Sequence, residues 1–345
     1  MLGQFRPRAG CSIDLSQSDD RLPVPRLRPD RIGEVDRMSF LAHGSHRIRY
    51  GLDGPKDAPA YVFVNGLTQY AELWTPYREA LINRGFRVAI FDLLGQGASD
   101  KPELFISQDD QVEALRLLID ELGEGPVFLS GISFGGLIAL RYAIEHGGRL
   151  SGLVPMSAFA ELSPQLLLLG NALRTGLALG GTSYLQDLLL PMNLSDSWLQ
   201  PLLSNLNAVK RQGWLINDVY ALQNLMESFL DFQPLTPQLP SIKTPTMILN
   251  GEFDFLTPRS LHETLRVNIP DSSLVIIPNA YHAFTLEKAA LTADLLARFA
   301  EDVLARQWHG NKAVWIAPDE PGGTMIPFPS GYDHLRAIPV QKATL

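Results

Sequence analysis

Val127-Phe128-Leu129-Ser130-Gly131-Ile132-Ser133-Phe134-Gly135-Gly136 is the stretch whose reading decides the fold. Its opening is a short apolar run, read as a buried strand, and a helical run begins directly after it, from Gly136 to His146. Between the two lies G-x-S-x-G. A hydroxyl nucleophile held there sits on a turn so tight that small residues are needed two positions before and after it, which accounts for Gly131 and Gly135. Ser133 then projects above the sheet. The start of the following helix aims free N–H groups and the positive end of its dipole at the same place, which favours an oxyanion. A G-x-S-x-G alone arises often by chance; set between a strand and a helix it is a specific signal.

On either side the pattern repeats. Short apolar runs at 61–64, 87–91, 126–130, 152–155, 246–250 and 273–277 read as strands, and amphipathic stretches at 74–84, 109–122, 136–146 and 286–306 read as helices. Strands apolar on both faces and separated by helices imply a mostly parallel sheet covered on both sides, an α/β fold. Before it, residues 38–50 read as a hairpin turning at Gly44. The spacing breaks between Ser157 and Pro240, where the chain becomes Leu-rich and helical. The expected organisation is a polar leader at 1–37, a core at 38–157 and 241–306, a helical cap at 158–240 and an irregular arm at 307–345. Cap residues such as Leu166, Leu188, Trp198, Trp214 and Met226 could line an acyl-sized pocket or simply pack the cap onto the core.

A serine nucleophile needs a base, and the base an orienting acid, in the chain order Ser, Asp or Glu, His for this topology. After the strand at 246–250 comes Gly251-Glu252-Phe253-Asp254-Phe255-Leu256-Thr257-Pro258, which puts Asp254 on a loop at a strand's C-terminal end, where open α/β sheets meet ligands. After the next strand, Pro278-Asn279-Ala280-Tyr281-His282-Ala283-Phe284 puts His282 on the neighbouring loop. Of the seven histidines, His43 and His46 precede the core, His146 and His262 fall on helices, and His309 and His334 belong to the tail. Glu252 and Glu161 are the rival acids. Two backbone N–H donors are needed for a tetrahedral oxyanion. Phe134, after the nucleophile, and Leu67, in Val64-Asn65-Gly66-Leu67-Thr68, are the candidates, with Asn65, Gly66 and Trp214 as candidate substrate contacts. The glycine-rich Asp92-Leu93-Leu94-Gly95-Gln96-Gly97-Ala98-Ser99 does not have phosphate-loop spacing and reads as structural.

Composition bounds the rest. The chain has 345 residues, 46% hydrophobic and 19% charged, enough for one large core. A net charge of -8 argues against a nucleic-acid surface. The single cysteine, Cys11, closes no disulfide within the chain, and the polar leader has no secretory apolar stretch, so a cytoplasmic protein is expected. The apolar run at 166–179 is broken by Asn171 and Arg174 and predicts no membrane span. Neither ligand spacing for a metal nor a cofactor fingerprint is present, and oligomeric state is not legible.

Together these residues resemble the α/β-hydrolase superfamily from Ser39 to Arg306, in G-x-S-x-G-G, in G-x-x-D at Gly251 to Asp254, in the His282 loop and in D-x-x-G-x-G-x-S from Asp92 to Ser99. Most members have His-Gly where this chain has Asn65-Gly66. Asn-Gly is similar to the acyl-polyester branch: the hydroxyalkanoyloxy-alkanoate synthases, the hydroxyacyl-carrier transacylases and the medium-chain polyhydroxyalkanoate depolymerases. The stretches 91–93, 106–113, 216–219 and 249–251 look like the first two groups, whereas Gly131 replaces the residue usual before the nucleophile in the synthases and the tail is longer. The resemblance implies a cofactor-free serine enzyme that cleaves a small-molecule ester or thioester of an apolar acyl group through an acyl-enzyme. Two alternatives stand beside it: an acyltransferase that condenses hydroxyacyl groups, and a non-catalytic receptor for a small molecule on the same fold.

Overall fold

A computed structural model describes residues 38–103 and 105–328. The expected leader at 1–37 and the end of the arm lie outside the described residues. Strands β1 (Met38–His43) and β2 (His46–Asp53) form the hairpin, with Gly44 at φ 58° in its turn. They are followed by β3 (Ala60–Val64), β4 (Arg87–Phe91), β5 (Val127–Ile132), β6 (Gly152–Met156), β7 (Thr246–Gly251) and β8 (Ser272–Ile277). Two more strands, β9 (Asn311–Ile316) and β10 (Ile326–Pro327), complete one sheet of order β1-β2-β4-β3-β5-β6-β7-β8-β9-β10. Pairing is parallel from β4 through β9 and antiparallel at both margins.

The alternation of side chains along β3 shows how the sheet is covered. Val62 and Val64 join a cluster on one face with Leu115 of α2 (Gln108–Glu121) and Leu137 of α3 (Phe134–His146). Tyr61 and Phe63 point the other way, into a cluster with Tyr77 and Leu81 of α1 (Thr75–Ile82). Each fully buried side chain of this size contributes roughly 1.5–3 kcal/mol of transfer free energy. With both faces closed, the ends of the strands are left to carry polar work.

The inserted segment departs from a simple bundle. It opens with α4 (Pro164–Asn193), in which Ser163 caps the first turn by accepting from Leu166 N–H, and which breaks at Gly181, where φ is 64°. Three shorter helices follow: α5 (Asp196–Leu203), α6 (Leu206–Ile216) and α7 (Val219–Glu227). Then α8 (Arg259–Asn268) follows β7, and α9 (Phe284–Glu287) with α10 (Ala289–Leu304) follows β8. Among the described residues no helix is long and apolar enough to cross a membrane.

The arm at 307–345, expected to be irregular, carries β9 and β10 instead. Asp271 Oδ1 accepts from Trp308 Nε1 at 3.0 Å and from Gly310 N–H at 2.7 Å, which delivers the chain to the free edge of β8. Pro327 sits on the outermost strand, where a missing N–H costs no ladder bond.

Candidate active site

Ser133 sits at the junction of β5 and α3 with φ 54° and ψ −118°, a conformation that L-residues rarely adopt. Its N–H donates to the Met156 carbonyl at 2.9 Å, which pins the bend to β6. The two flanking glycines are there for close approach. A Cβ on Gly131 would collide with the backbone of Gly135, and one on Gly135 with the carbonyls of Val64 and Asn65. The bend therefore requires hydrogen at both places. In the first turn of α3 the backbone N–H groups have no intrahelical partner, and Phe134 N–H is the first of these.

The loops after β7 and β8 bring a carboxylate to an imidazole. His282 Nδ1 lies 3.0 Å from each carboxylate oxygen of Asp254, and both side chains are buried. Asp254 also accepts from Thr257 N–H at 2.8 Å, a local turn in which the acid closes on a residue three further along. Burial would raise the Asp254 carboxyl, but the imidazole of His282 and the Thr257 N–H outweigh it and hold the group below its ordinary value. The rival acids are engaged elsewhere. Glu252 accepts from Asn279 N–H and Glu161 from the Thr236 hydroxyl, both at 2.9 Å.

Ser133 and His282 line one pocket of about 180 Å³. Its lining includes Phe134, Phe159 and Phe229, whose rings pack together, with Met226, Leu166 and Leu173 of α4, and Gly66 and Leu67. The pocket is mostly apolar, the character of a site that takes a hydrocarbon-bearing ligand.

The loop at 65–69 is held from behind. Asn65, expected to touch substrate, is fully buried away from the pocket: its Nδ2 donates to the Phe91 carbonyl at 3.0 Å and its Oδ1 accepts from Trp74 Nε1 at 2.8 Å. The amide is thus a loop clamp, since both of its polar ends are used inside the protein. Gln96 Nε2 donates to the carbonyls of Gly66 and Leu67, each at 2.8 Å. The loop from Asp92 is structural, as its spacing suggests. The Asp92 carboxylate accepts from Ala71 and Ala98 N–H and from Arg49, and the lack of a side chain on Gly97 is what leaves it room. Trp214 falls on α6, but its side chain lies outside the described residues.

Three further residues surround the dyad. Thr257 Oγ1 is 2.8 Å from Asp254 Oδ2 and 3.2 Å from His282 Nδ1. Ser157, just beyond β6, is buried with φ 43°. His262 on α8 is fully buried; its Nε2 accepts from Ala158 N–H at 3.0 Å and its Nδ1 faces the Pro258 carbonyl at 3.3 Å, which fixes a neutral tautomer. Burial lowers its pKa to about 4. Among the described residues no cluster of three or more His, Cys, Asp or Glu is placed to hold a metal ion.

Comparison with known proteins agrees with this architecture. Among curated relatives, the AB hydrolase superfamily protein YisY of Bacillus subtilis is 27% identical over 252 residues, 69% of this chain and 90% of that protein. The 3-oxoadipate enol-lactonase 1 of Acinetobacter baylyi is 26% identical over 279 residues, 79% of this chain and all of that protein. Among solved structures, MGS-M2, an α/β-hydrolase enzyme from a Medee basin deep-sea metagenome library, superposes with a TM-score of 0.70 at 26% identity, covering 76% of this chain and 97% of its own. The model of the family described as "Serine aminopeptidase, S33" matches residues 56–289, and the chain belongs to that family of α/β-hydrolases.

Proposed function

We propose that this chain is a serine hydrolase that cleaves a carboxylic ester or thioester of an apolar acyl group. One observation carries the reading: Ser133, on its sharp bend, shares a pocket with His282, whose Nδ1 is 3.0 Å from both oxygens of the buried Asp254 carboxylate. Asp254 holds the proton of His282 on Nδ1, leaving Nε2 as the base. As Ser133 Oγ attacks the carbonyl carbon, its proton passes to Nε2, and the carbonyl electron pair moves onto the oxygen. The N–H groups of Leu67 and Phe134 receive that oxyanion. The tetrahedral adduct collapses, the leaving group takes the proton from Nε2, and an acyl-Ser133 ester remains. Water, deprotonated by Nε2, repeats the sequence and frees the acid.

The apolar wall of Phe159, Met226, Phe229 and the α4 leucines suits a hydrocarbon acyl part. The same wall favours a second reading, in which a hydroxyacyl acceptor replaces water and an acyl transfer results. Both share the acyl-enzyme, so product identity separates them: a hydroxyacyl thioester yields free acid from a hydrolase and a condensed ester from a transferase. A non-catalytic receptor is the third reading, and it requires that a fluorophosphonate probe leave Ser133 unlabelled.

The deciding experiment is Ser133→Ala. Turnover of an acyl ester should fall by several orders of magnitude while the melting temperature and circular dichroism stay close to those of the parent. Near-normal turnover in the variant would overturn the assignment.

A further inference from the structure

Eleven residues beyond Ser163, the cap of α4, the helix presents a charge to the pocket. Along α4, Leu166, Gly170, Leu173 and Arg174 recur at helical spacing on the pocket wall. Among the described residues that line the pocket, Arg174 is the one arginine or lysine and none carries a carboxylate. Arg174 as a residue is half-buried, and its guanidinium makes no hydrogen bond or ion pair with any described residue. An arginine that only covers apolar surface keeps its head in water, whereas one drawn partly out of water beside a ligand pocket gains when an anion completes its fork of donors. A second group on the same wall is also unpartnered. Asn193 Oδ1 is buried without a hydrogen-bond partner, and its amide can turn either a donor or an acceptor to a ligand.

We propose that Arg174 recognises a carboxylate on the substrate, so that the preferred ester or thioester carries an anionic carboxyl group besides the acyl carbonyl that reacts. This rests on the serine-hydrolase reading of the same pocket. The carboxylate can belong to the acyl part, as in the half-ester of a dicarboxylic acid, or to the leaving group.

The full chain, Arg174→Met and Arg174→Lys are compared on paired chromogenic esters. p-Nitrophenyl hydrogen adipate is set against p-nitrophenyl hexanoate for a charge on the acyl side. The hexanoate ester of 4-hydroxybenzoate is set against that of 4-hydroxybenzamide for a charge on the leaving side. Methionine keeps the length of the arginine stem while removing its charge, and lysine keeps the charge without the fork. One anionic ester is expected to outpace its neutral partner in kcat/KM by roughly 10- to 100-fold, the range of a hydrogen bond to a charged group. That ratio should collapse toward one in Arg174→Met and be partly kept in Arg174→Lys. A ratio unchanged by Arg174→Met, or no preference for an anion on either side, overturns the proposal. Fluorophosphonate labelling of the same proteins reads Ser133 separately. Labelled enzymes with unchanged ratios remove the Arg174 assignment alone, and unlabelled enzymes remove the hydrolase reading and the proposal with it.

Discussion

The Ser157 hydroxyl donates to the backbone carbonyl of His282 across 3.0 Å, joining the end of β6 to the loop that follows β8. The Ser157 carbonyl meanwhile accepts from Thr257 Oγ1 at 2.9 Å, and its N–H donates to the Leu249 carbonyl at 3.0 Å. One residue thereby ties the acid loop and the histidine loop to the sheet. It does so in the left-handed region, at φ 43°, where a non-glycine residue is strained by about 1–2 kcal/mol.

Replacing Ser157 should separate strain from hydrogen bonding. Ser157→Ala keeps the strain and loses a buried hydrogen bond, at a cost of about 0.5–1.5 kcal/mol. Ser157→Gly loses the same bond but relieves the backbone, so its melting temperature should exceed that of the alanine variant. If Ser157 positions His282, kcat falls in both variants while KM moves little. Unchanged kcat in both would make the contact purely structural.

What the sequence made legible follows from distance along the chain. The bend at Ser133 is written in consecutive residues, because strand, glycines and helix adjoin. The loops of Asp254 and His282 could be placed because each directly follows an apolar strand. Thr257 was within reach, lying three residues past Asp254 in a turn that short polar side chains favour. Ser157 was not, since left-handed positions are normally flagged by glycine or asparagine and its partner His282 is 125 residues away. Asn65 was misread because Asn-Gly beside a strand end looks the same whether the amide faces ligand or core. The strand β9 was missed for another reason: its residues are half-buried, and a tail rich in proline and glycine masks a short Val-Trp-Ile run.

Gln96 offers a test of the loop beside the serine. Its Nε2 is the donor shared by the Gly66 and Leu67 carbonyls, so Gln96→Leu leaves both without that partner. The Gly66 carbonyl keeps the Gln69 N–H at 3.1 Å, whereas the part-buried Leu67 carbonyl loses its donor at a cost of about 1 kcal/mol, so stability should drop measurably in urea. If Leu67 N–H receives the oxyanion, misplacing it lowers kcat by up to about 10²–10³-fold, the effect of losing one such donor. Steady-state kinetics decide the matter, since a loss confined to KM would argue against an oxyanion role for this loop.

Gly170 makes the opposite prediction. An added Cβ there meets nothing within 4 Å, and the residue lies inside α4 on the pocket wall. Gly170→Ala should therefore stabilise the protein by about 0.5–1 kcal/mol, since alanine restricts the unfolded chain and suits a helix. Gly170→Leu should occupy the open space. Its kcat/KM ought to fall more for a long acyl ester than for an acetate ester, and an equal fall on both would place residue 170 outside the acyl path.

The buried His262 predicts how stability responds to acid. Burial dominates its lowered pKa, with His282 adding to the effect, while the charges of Asp254 and Glu263 oppose it. The folded value is about 4 against an ordinary 6.5, so the unfolded chain binds the extra proton first as pH falls. Stability from this group is complete above pH 6.5, declines between 6.5 and 4, and is lost below that, by about 3 kcal/mol in all. The carboxyl of Asp254, held below its ordinary 3.8, contributes stability that is lost only at lower pH, so the two windows do not coincide. His262→Gln cannot titrate, yet its amide can still accept from Ala158 N–H. Urea unfolding followed from pH 7 to pH 4 should slope downward for the parent and run nearly flat for the variant. Parallel curves would mean that His262 is not the group charged on acid unfolding.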